Sequence, residues 1–277
     1  MNALIVSARP DDWVSRYFLE YSALSLPLAG KPVVEHQLDW CAREGVENVI
    51  VLDGAYDRRL APELGDGSRW GLKLSYERAP GGVGEAELVG HYQEFLNVGG
   101  AGGGKAALVI RGAEIVYLGE RTRITSLRDY FDLSLRLVGN PAECVLPGYS
   151  SDHGVILGMN VQLRMGCVVT PPVLLDDNVL VDYECRLDGH VIVGEGCILD
   201  RRSRLHRAIV FPRTYIARGV ELEDKIVAGT RIIDPLTGAC VNLADDVLST
   251  DLRGRRKWLP VRLYHLFRVL RRIIRHS

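Results

Sequence analysis

Residues 157–216 read LGMNVQLRMGCVVTPPVLLDDNVLVDYECRLDGHVIVGEGCILDRRSRLHRAIVFPRTYI. One position in six is apolar throughout: Leu157, Leu163, Val169, Leu175, Val181, Leu187, Val193, Leu199, Leu205 and Phe211. Four residues after each comes a second set, mostly small or β-branched: Val161, Cys167, Val173, Val179, Cys185, Val191, Cys197, Ser203, Ile209 and Tyr215. Neither a helix of period 3.6 nor a simple strand alternation of period 2 by itself keeps both sets in phase over that length. Each hexad therefore forms one flat face of a coil, and the fixed period marks a repeat architecture.

The pattern resembles the left-handed parallel β-helix of hexapeptide-repeat proteins, in which three hexads make one triangular turn of 18 residues. The resemblance implies that residues 18 apart stack at the spacing of neighbouring strands, roughly 4.8 Å. Cys167, Cys185 and Ser203 then form one column, and Val173, Val191 and Ile209 another. The residue after each Leu/Val position is often Gly or Asp (Gly158, Asp176, Asp182, Asp188, Gly194, Asp200), which suits a corner needing an unusual backbone angle. The coil is assigned to 151–245.

Before it, residues 1–120 alternate strand-like and helix-like patterns. Strands are predicted at 3–8, 49–52, 72–76 and 107–110, and helices at 33–44 and 85–96, with Gly45 as the C-terminal cap of the first helix. Strands separated by helices imply a parallel, doubly wound sheet, assigned to 1–150.

Linear details of this region are similar to the sugar-phosphate nucleotidyltransferases, which join a sugar 1-phosphate to a nucleoside triphosphate. Leu26-Pro27-Leu28-Ala29-Gly30-Lys31-Pro32-Val33-Val34-Glu35-His36-Gln37-Leu38 resembles that family's LPVAGKPLIEHQL segment, and Glu77-Arg78-Ala79-Pro80-Gly81-Gly82-Val83-Gly84-Glu85-Ala86 resembles its turn near the base and sugar. Leu108-Val109-Ile110-Arg111-Gly112-Ala113-Glu114-Ile115 echoes LVLNGDVL. The resemblance implies a Rossmann-like domain, with Lys31, Pro80, Gly81, Gly82 and Gly84 as nucleotide- or sugar-contacting residues, and Mg2+ as cofactor only where transfer activity survives. A nucleotidyltransferase sheet followed by a β-helix is a recurrent order in this family.

Nucleotidyl transfer needs backbone amides around the triphosphate, cations to neutralise developing charge and carboxylates for magnesium. The family's Gly-rich loop ending in Arg has no counterpart, because no glycine occurs from Met1 to Ala29. Its first Lys aligns with Ala23 and its magnesium-binding Asp with Ala113. Arg9 and Arg16 are the candidates to replace the Arg, and Glu114 the candidate to replace the Asp, although a continuing strand points Glu114 to the other face. About 40 residues separate Ile115 from Leu157, fewer than family members use for the sugar-binding half. The domain reads as a truncated, catalytically degenerate nucleotidyltransferase with a binding or scaffold role in sugar-nucleotide or envelope-polysaccharide metabolism. The alternatives are an active sugar-1-phosphate nucleotidyltransferase and a hexapeptide-repeat acyltransferase.

For the acyltransferase alternative the candidate general base is His190, beside Asp188-Gly189. His153, His190 and His206 could also suggest a metal site, but the separation of 16 between the last two does not match 18-residue stacking, so no metal is assigned. The six cysteines contain no C-x-x-C pair, which argues against a zinc ribbon or a thioredoxin-like site. Gly99-Gly100-Ala101-Gly102-Gly103-Gly104-Lys105 lacks Walker spacing and reads as a surface connection.

The chain of 277 residues is 47% hydrophobic and 25% charged, an ordinary globular balance. No run approaches the roughly 18 apolar residues of a membrane-spanning helix, and no signal peptide is evident, so a cytoplasmic location is expected. The net charge of −1 hides an asymmetry: residues 253–277 hold 9 of the 34 Lys/Arg and no acid, leaving 25 basic against 35 acidic residues elsewhere. Leu259, Leu263, Leu266, Phe267, Leu270, Ile273 and Ile274 fall at helical spacing in that tail. Residues 246–277 are thus predicted to carry a basic amphipathic helix. It would lie peripherally on the anionic inner face of a membrane, or on a protein partner, through Arg255, Arg256, Lys257, Trp258, Leu263, Phe267, Arg268, Arg271 and Arg272. The other use of such a helix is to cap the coil's open end. Nucleic acid is not an expected partner, given the acidic remainder and the apolar face, and a homo-oligomer built through coil faces is.

Overall fold

The computed structural model describes residues 1–7, 12–53, 60–79, 83–97, 107–140, 142–143 and 146–242. The first part runs β1 (Asn2–Ser7), α1 (Asp12–Tyr17), β2 (Pro27–Leu28), β3 (Lys31–Pro32), α2 (Val33–Arg43), β4 (Asn48–Asp53), α3 (Leu60–Leu64), β5 (Lys73–Arg78), α4 (Glu85–His91), α5 (Gln93–Asn97), β6 (Leu108–Arg111), β7 (Glu114–Tyr117), β8 (Glu120–Arg123) and α6 (Leu127–Gly139). β5, β4, β1 and β6 form a parallel sheet in that order. Every residue of β1 is buried because helices cover both faces. Ala3 and Ile5 pack with Val34, Leu38 and Cys41 of α2, while Leu4 and Val6 pack with Leu88 of α4.

α6 was not foreseen. Its N-cap is Ser126, whose Oγ accepts from Asp129 N at 3.1 Å while the Asp129 carboxylate accepts from Thr125 N at 3.1 Å. This reciprocal arrangement satisfies amide groups that a helix start leaves unpaired.

The second part is strand-rich: β9 (Ser150–Asp152), β10 (Val155–Leu157), β11 (Gln162–Leu163), β12 (Val168–Thr170), β13 (Val173–Leu175), β14 (Leu180–Val181), β15 (Arg186–Val193), β16 (Ile198–Leu199), β17 (Arg204–Val210), β18 (Tyr215–Ile216), β19 (Glu221–Ala228), β20 (Arg231–Ile233) and β21 (Cys240–Asn242). Parallel partners lie 18 residues apart at first, as in Val155↔Val173, Gln162↔Leu180, Val168↔Arg186 and Val173↔Val191. Later partners lie 17 apart: Arg204↔Glu221, Ile198↔Tyr215 and Val210↔Val227.

The change occurs at one corner. Pro171-Pro172 and Gly189-His190 turn the chain with two residues, whereas Arg207 and Asp224 each do so alone, because Asp188 pairs with His206 but Val191 with Ala208. The hexad register therefore does not run unbroken to Ile216. Ala208 and Val210 join Val173, Val191 and Val193 in the interior, and Ile209 and Phe211 face outward. Since strand side chains alternate, the missing corner residue moves the interior from the hexad positions Ile209 and Phe211 to their neighbours Ala208 and Val210, and the stacked face stays inward.

The predicted corner glycines also have another role. Left-handed backbone falls two positions later, at Asn160, Asn178, Gly196 and Arg213 in one column and at Gly166, Glu184, Arg202 and Gly219 in a second. A Cβ on Gly158 would lie 2.7 Å from Asp177 N, and one on Gly194 2.7 Å from Pro212 N. Those glycines admit the next turn of backbone.

The two parts share a core. Ile156, Leu174, Ile192, Ile209 and Ile226 form an outward apolar column, buried beneath Val14, Phe18 and the α6 residues Leu127, Tyr130 and Phe131. Phe18 stacks on Phe211 with ring centroids 4.6 Å apart and planes at 10°. Among the described residues, no helix is long and apolar enough to cross a membrane.

Candidate functional site

In open parallel sheets, ligands bind outside the carboxyl ends of the strands where the chain order reverses. Here that point lies at the ends of β1 and β6, since β1 has β4 on one side and β6 on the other. β1 ends at Ser7, which is paired with Asp53 at the end of β4. Asp53 is buried, and the sequence reading did not single it out.

The far side of this point is filled by the chain's own backbone. Gly112, at φ +54°, turns β6 back into the β7–β8 hairpin, and its N–H donates to Val6 O at 2.7 Å. Gln37 of α2 pins that turn, its Nε2 donating to Gly112 O at 2.8 Å and to Glu114 O at 2.9 Å. Ala113, expected from the sequence resemblance to stand at a metal-carboxylate position, is 1% exposed within the core shared by the two parts.

Glu114 is engaged by its neighbours: one carboxylate oxygen accepts from Arg111 N at 3.2 Å and the other meets Arg121 Nε at 2.6 Å. Lys31 is buried and its Nζ donates to the Asp39 carboxylate, which also accepts from Trp70 Nε1 at 2.8 Å. The turn before it, Ala29-Gly30 with φ of +48° and +89°, is a two-residue hairpin loop that suits glycine. A Cβ on Gly30 would lie 3.0 Å from Leu146 and 3.2 Å from Leu174 of β13, so the loop packs on the coil. His36 fixes it from below, donating from Nε2 to Leu28 O at 2.9 Å. Burial, assisted by Lys31, pushes the His36 imidazole down to about 3, so it is neutral.

Arg16 is exposed on α1, its guanidinium 5.6 Å from the centroid of the Tyr17 ring. Gly84 caps α4 in an extended conformation. Arg9, Pro80, Gly81, Gly82 and the tail residues Arg255, Arg256, Lys257, Trp258, Leu263, Phe267, Arg268, Arg271 and Arg272 lie outside the described residues. Magnesium requires several oxygen ligands converging on one point. Among the described residues no three His, Cys, Asp or Glu side chains do so, and the Glu114 carboxylate is already held by Arg121 and the Arg111 amide. These residues do not fit a magnesium site.

His190 sits elsewhere, at the two-residue corner of β15. Its backbone N–H donates to Pro172 O at 2.9 Å, and its ring faces the C-terminal end of α6, where a Cβ on Gly139 would lie 3.2 Å from Nε2. His190 thus lies against its own chain. His153 is 92% exposed and pairs with Asp152, and His206 is exposed. Three buried cysteines are packing groups: burial pushes the Cys41 and Cys197 thiols up to about 12, and Cys185 donates to Asp200 O at 3.1 Å.

No model of a known protein family matches the chain. A glucose-1-phosphate thymidylyltransferase of Actinoplanes sp. is 35% identical over 91 residues, covering 31% of this chain and 27% of that protein. One from Xanthomonas campestris pv. campestris is 26% identical over 95 residues, covering 33% and 30%. About a third of this chain is similar to sugar-phosphate nucleotidyltransferases. The chain spans under a third of the length of these relatives.

Proposed function

We propose that this protein is a nucleotidyltransferase-like binding or scaffold subunit of sugar-nucleotide or envelope-polysaccharide metabolism, without transfer chemistry of its own. The observation that carries this reading is the occupation of the strand ends by structural contacts. Gln37 and Glu114 are committed to other protein groups there, Lys31 is committed to Asp39 of α2, and Ala113 offers no ligand atom. Donors and acceptors already spent on such contacts do not stabilise a developing phosphoryl charge.

The strand-rich part serves as the left-handed β-helix of this architecture. Its outward column is buried against the first part, so the faces left for a homo-oligomer are those bearing β11–β14–β16–β18 and β12. The basic tail, with nine cations, attaches the assembly to an anionic membrane surface, each cation near such a surface contributing on the order of 1 kcal/mol.

Incubation with a panel of nucleoside triphosphates, sugar 1-phosphates and magnesium is expected to release no pyrophosphate above the uncatalysed background; release that scales with protein overturns the reading. Flotation with phosphatidylserine vesicles is expected to carry the full chain and to lose it on deletion of 253–277. Undiminished flotation after that deletion removes the membrane role.

A further inference from the structure

Away from the strand ends, α6 and the corner column of the coil enclose a cleft of about 190 Å³ lined by Asp132, Leu135, Arg136, His190 and Arg207. Its walls come from three elements distant in sequence: α6, β15 and β17. Arg207 takes a left-handed backbone at its one-residue corner, φ +45°, and Asp224 of the next turn holds its Nε at 2.7 Å. That ion pair fixes the guanidinium on the cleft wall. Arg136 lies in the last turn of α6 and has no acidic partner among the described residues. Asp132 stands one helical turn earlier on the same face, loosely paired with Arg128 at 3.8 Å.

We propose that this cleft binds a small organic phosphate, with the phosphoryl group between Arg136 and Arg207 and a hydroxyl of the organic part donating to the Asp132 carboxylate. Guanidinium groups present forked donors that match phosphoryl oxygens, and two from separate rigid elements form a clamp. The volume sets the class of ligand. Pockets for drug-sized molecules start at about 300 Å³, so this cleft takes a phosphorylated polyol and not a nucleotide. His190 supplies a neutral polar edge: burial, then the nearby Arg207 and His206, hold its imidazole below the ordinary value. The Arg207 guanidinium beside that ring supplies the positive charge that an anion would meet.

Glycerol 3-phosphate and inorganic phosphate are the probes, added to the full chain with the His190 ring signals followed by NMR. Both are expected to move those signals saturably, glycerol 3-phosphate at the lower concentration. Arg136→Gln, on an exposed helix position, is expected to weaken both about ten-fold or more, the cost of one charge-assisted contact. Asp132→Asn is expected to weaken glycerol 3-phosphate and to leave inorganic phosphate unchanged or tighter. Unmoved His190 signals at millimolar probe, or an Arg136→Gln protein with wild-type affinity, overturn the proposal. Equal weakening of both probes by Asp132→Asn overturns the hydroxyl assignment.

Discussion

Phe18 and Phe211 offer a test of the shortened corner. An unbroken hexad register would turn the Phe211 ring into the coil, away from the first part. In the structure it lies outward, 3% exposed, and stacks on the 2%-exposed Phe18 at 4.6 Å. Phe→Leu at either position keeps most of the volume, so each single change is expected to cost about 1–1.5 kcal/mol. Each also removes the same ring–ring contact, which contributes about 0.5–1.5 kcal/mol beyond area burial. The double variant should therefore fall short of the sum of the singles by about 1 kcal/mol. Separated sites with no shared partner add to within about 0.3–0.5 kcal/mol, so the difference is measurable. Urea unfolding followed by far-ultraviolet circular dichroism and by tryptophan fluorescence supplies the free energies, with coincident transitions as the condition for using them. Additivity within about 0.3 kcal/mol would refute the outward placement of Phe211 and with it the 17-residue turn.

His36 makes acid sensitivity predictable. Its folded pKa, about 3, lies below the ordinary 6.5, so the unfolded chain takes up the proton first and stability falls as pH drops from 6.5 towards 3. At pH 5.5 the loss is about 1.4 kcal/mol relative to neutral pH, and unfolding titrations of His36→Gln should lose that part of the slope. Gly194→Ala places a methyl 2.7 Å from Pro212 N and should cost about 1–3 kcal/mol. Gly90→Ala, in α4 with nothing within 4 Å, should instead gain about 0.5–1 kcal/mol. Equal melting temperatures for the two variants would contradict the close stacking of turns. Iodoacetamide at pH 8 should label the exposed Cys240 in the native protein while leaving Cys41 and Cys197 unlabelled until denaturant is added, as peptide mass mapping would read.

Legibility from sequence tracked how local the controlling physics was. The 18-residue pairing of Val155, Val173 and Val191 follows from a period that each hexad states again. Loss of one residue at Arg207 stayed hidden because Ile209 and Phe211 are themselves apolar and imitate the interior positions they had been given. α6 carried a readable start at Ser126 and Asp129, but its apolar face, Leu127, Tyr130 and Phe131, serves a partner surface that no local pattern announces. At the strand ends, the substitution at Ala113 could be read directly. The commitments of Lys31 to Asp39 and of Gln37 to Gly112 could not, because helix α2 and the folded sheet bring those groups together. Asp53 carried only the signal of being the last residue of a buried strand.

Arg207 stands at a corner of variable length. One residue or two can turn the chain there, as Arg207 and Gly189-His190 do in adjacent turns, and either length delivers the next strand with the same face inward. An insertion inside a strand would invert every side chain after it, whereas an insertion at this corner is absorbed. The cleft wall is thus the place where the chain can gain or lose a residue while the interior keeps its packing, and the surface chemistry beside α6 is free to diverge without renegotiating the fold.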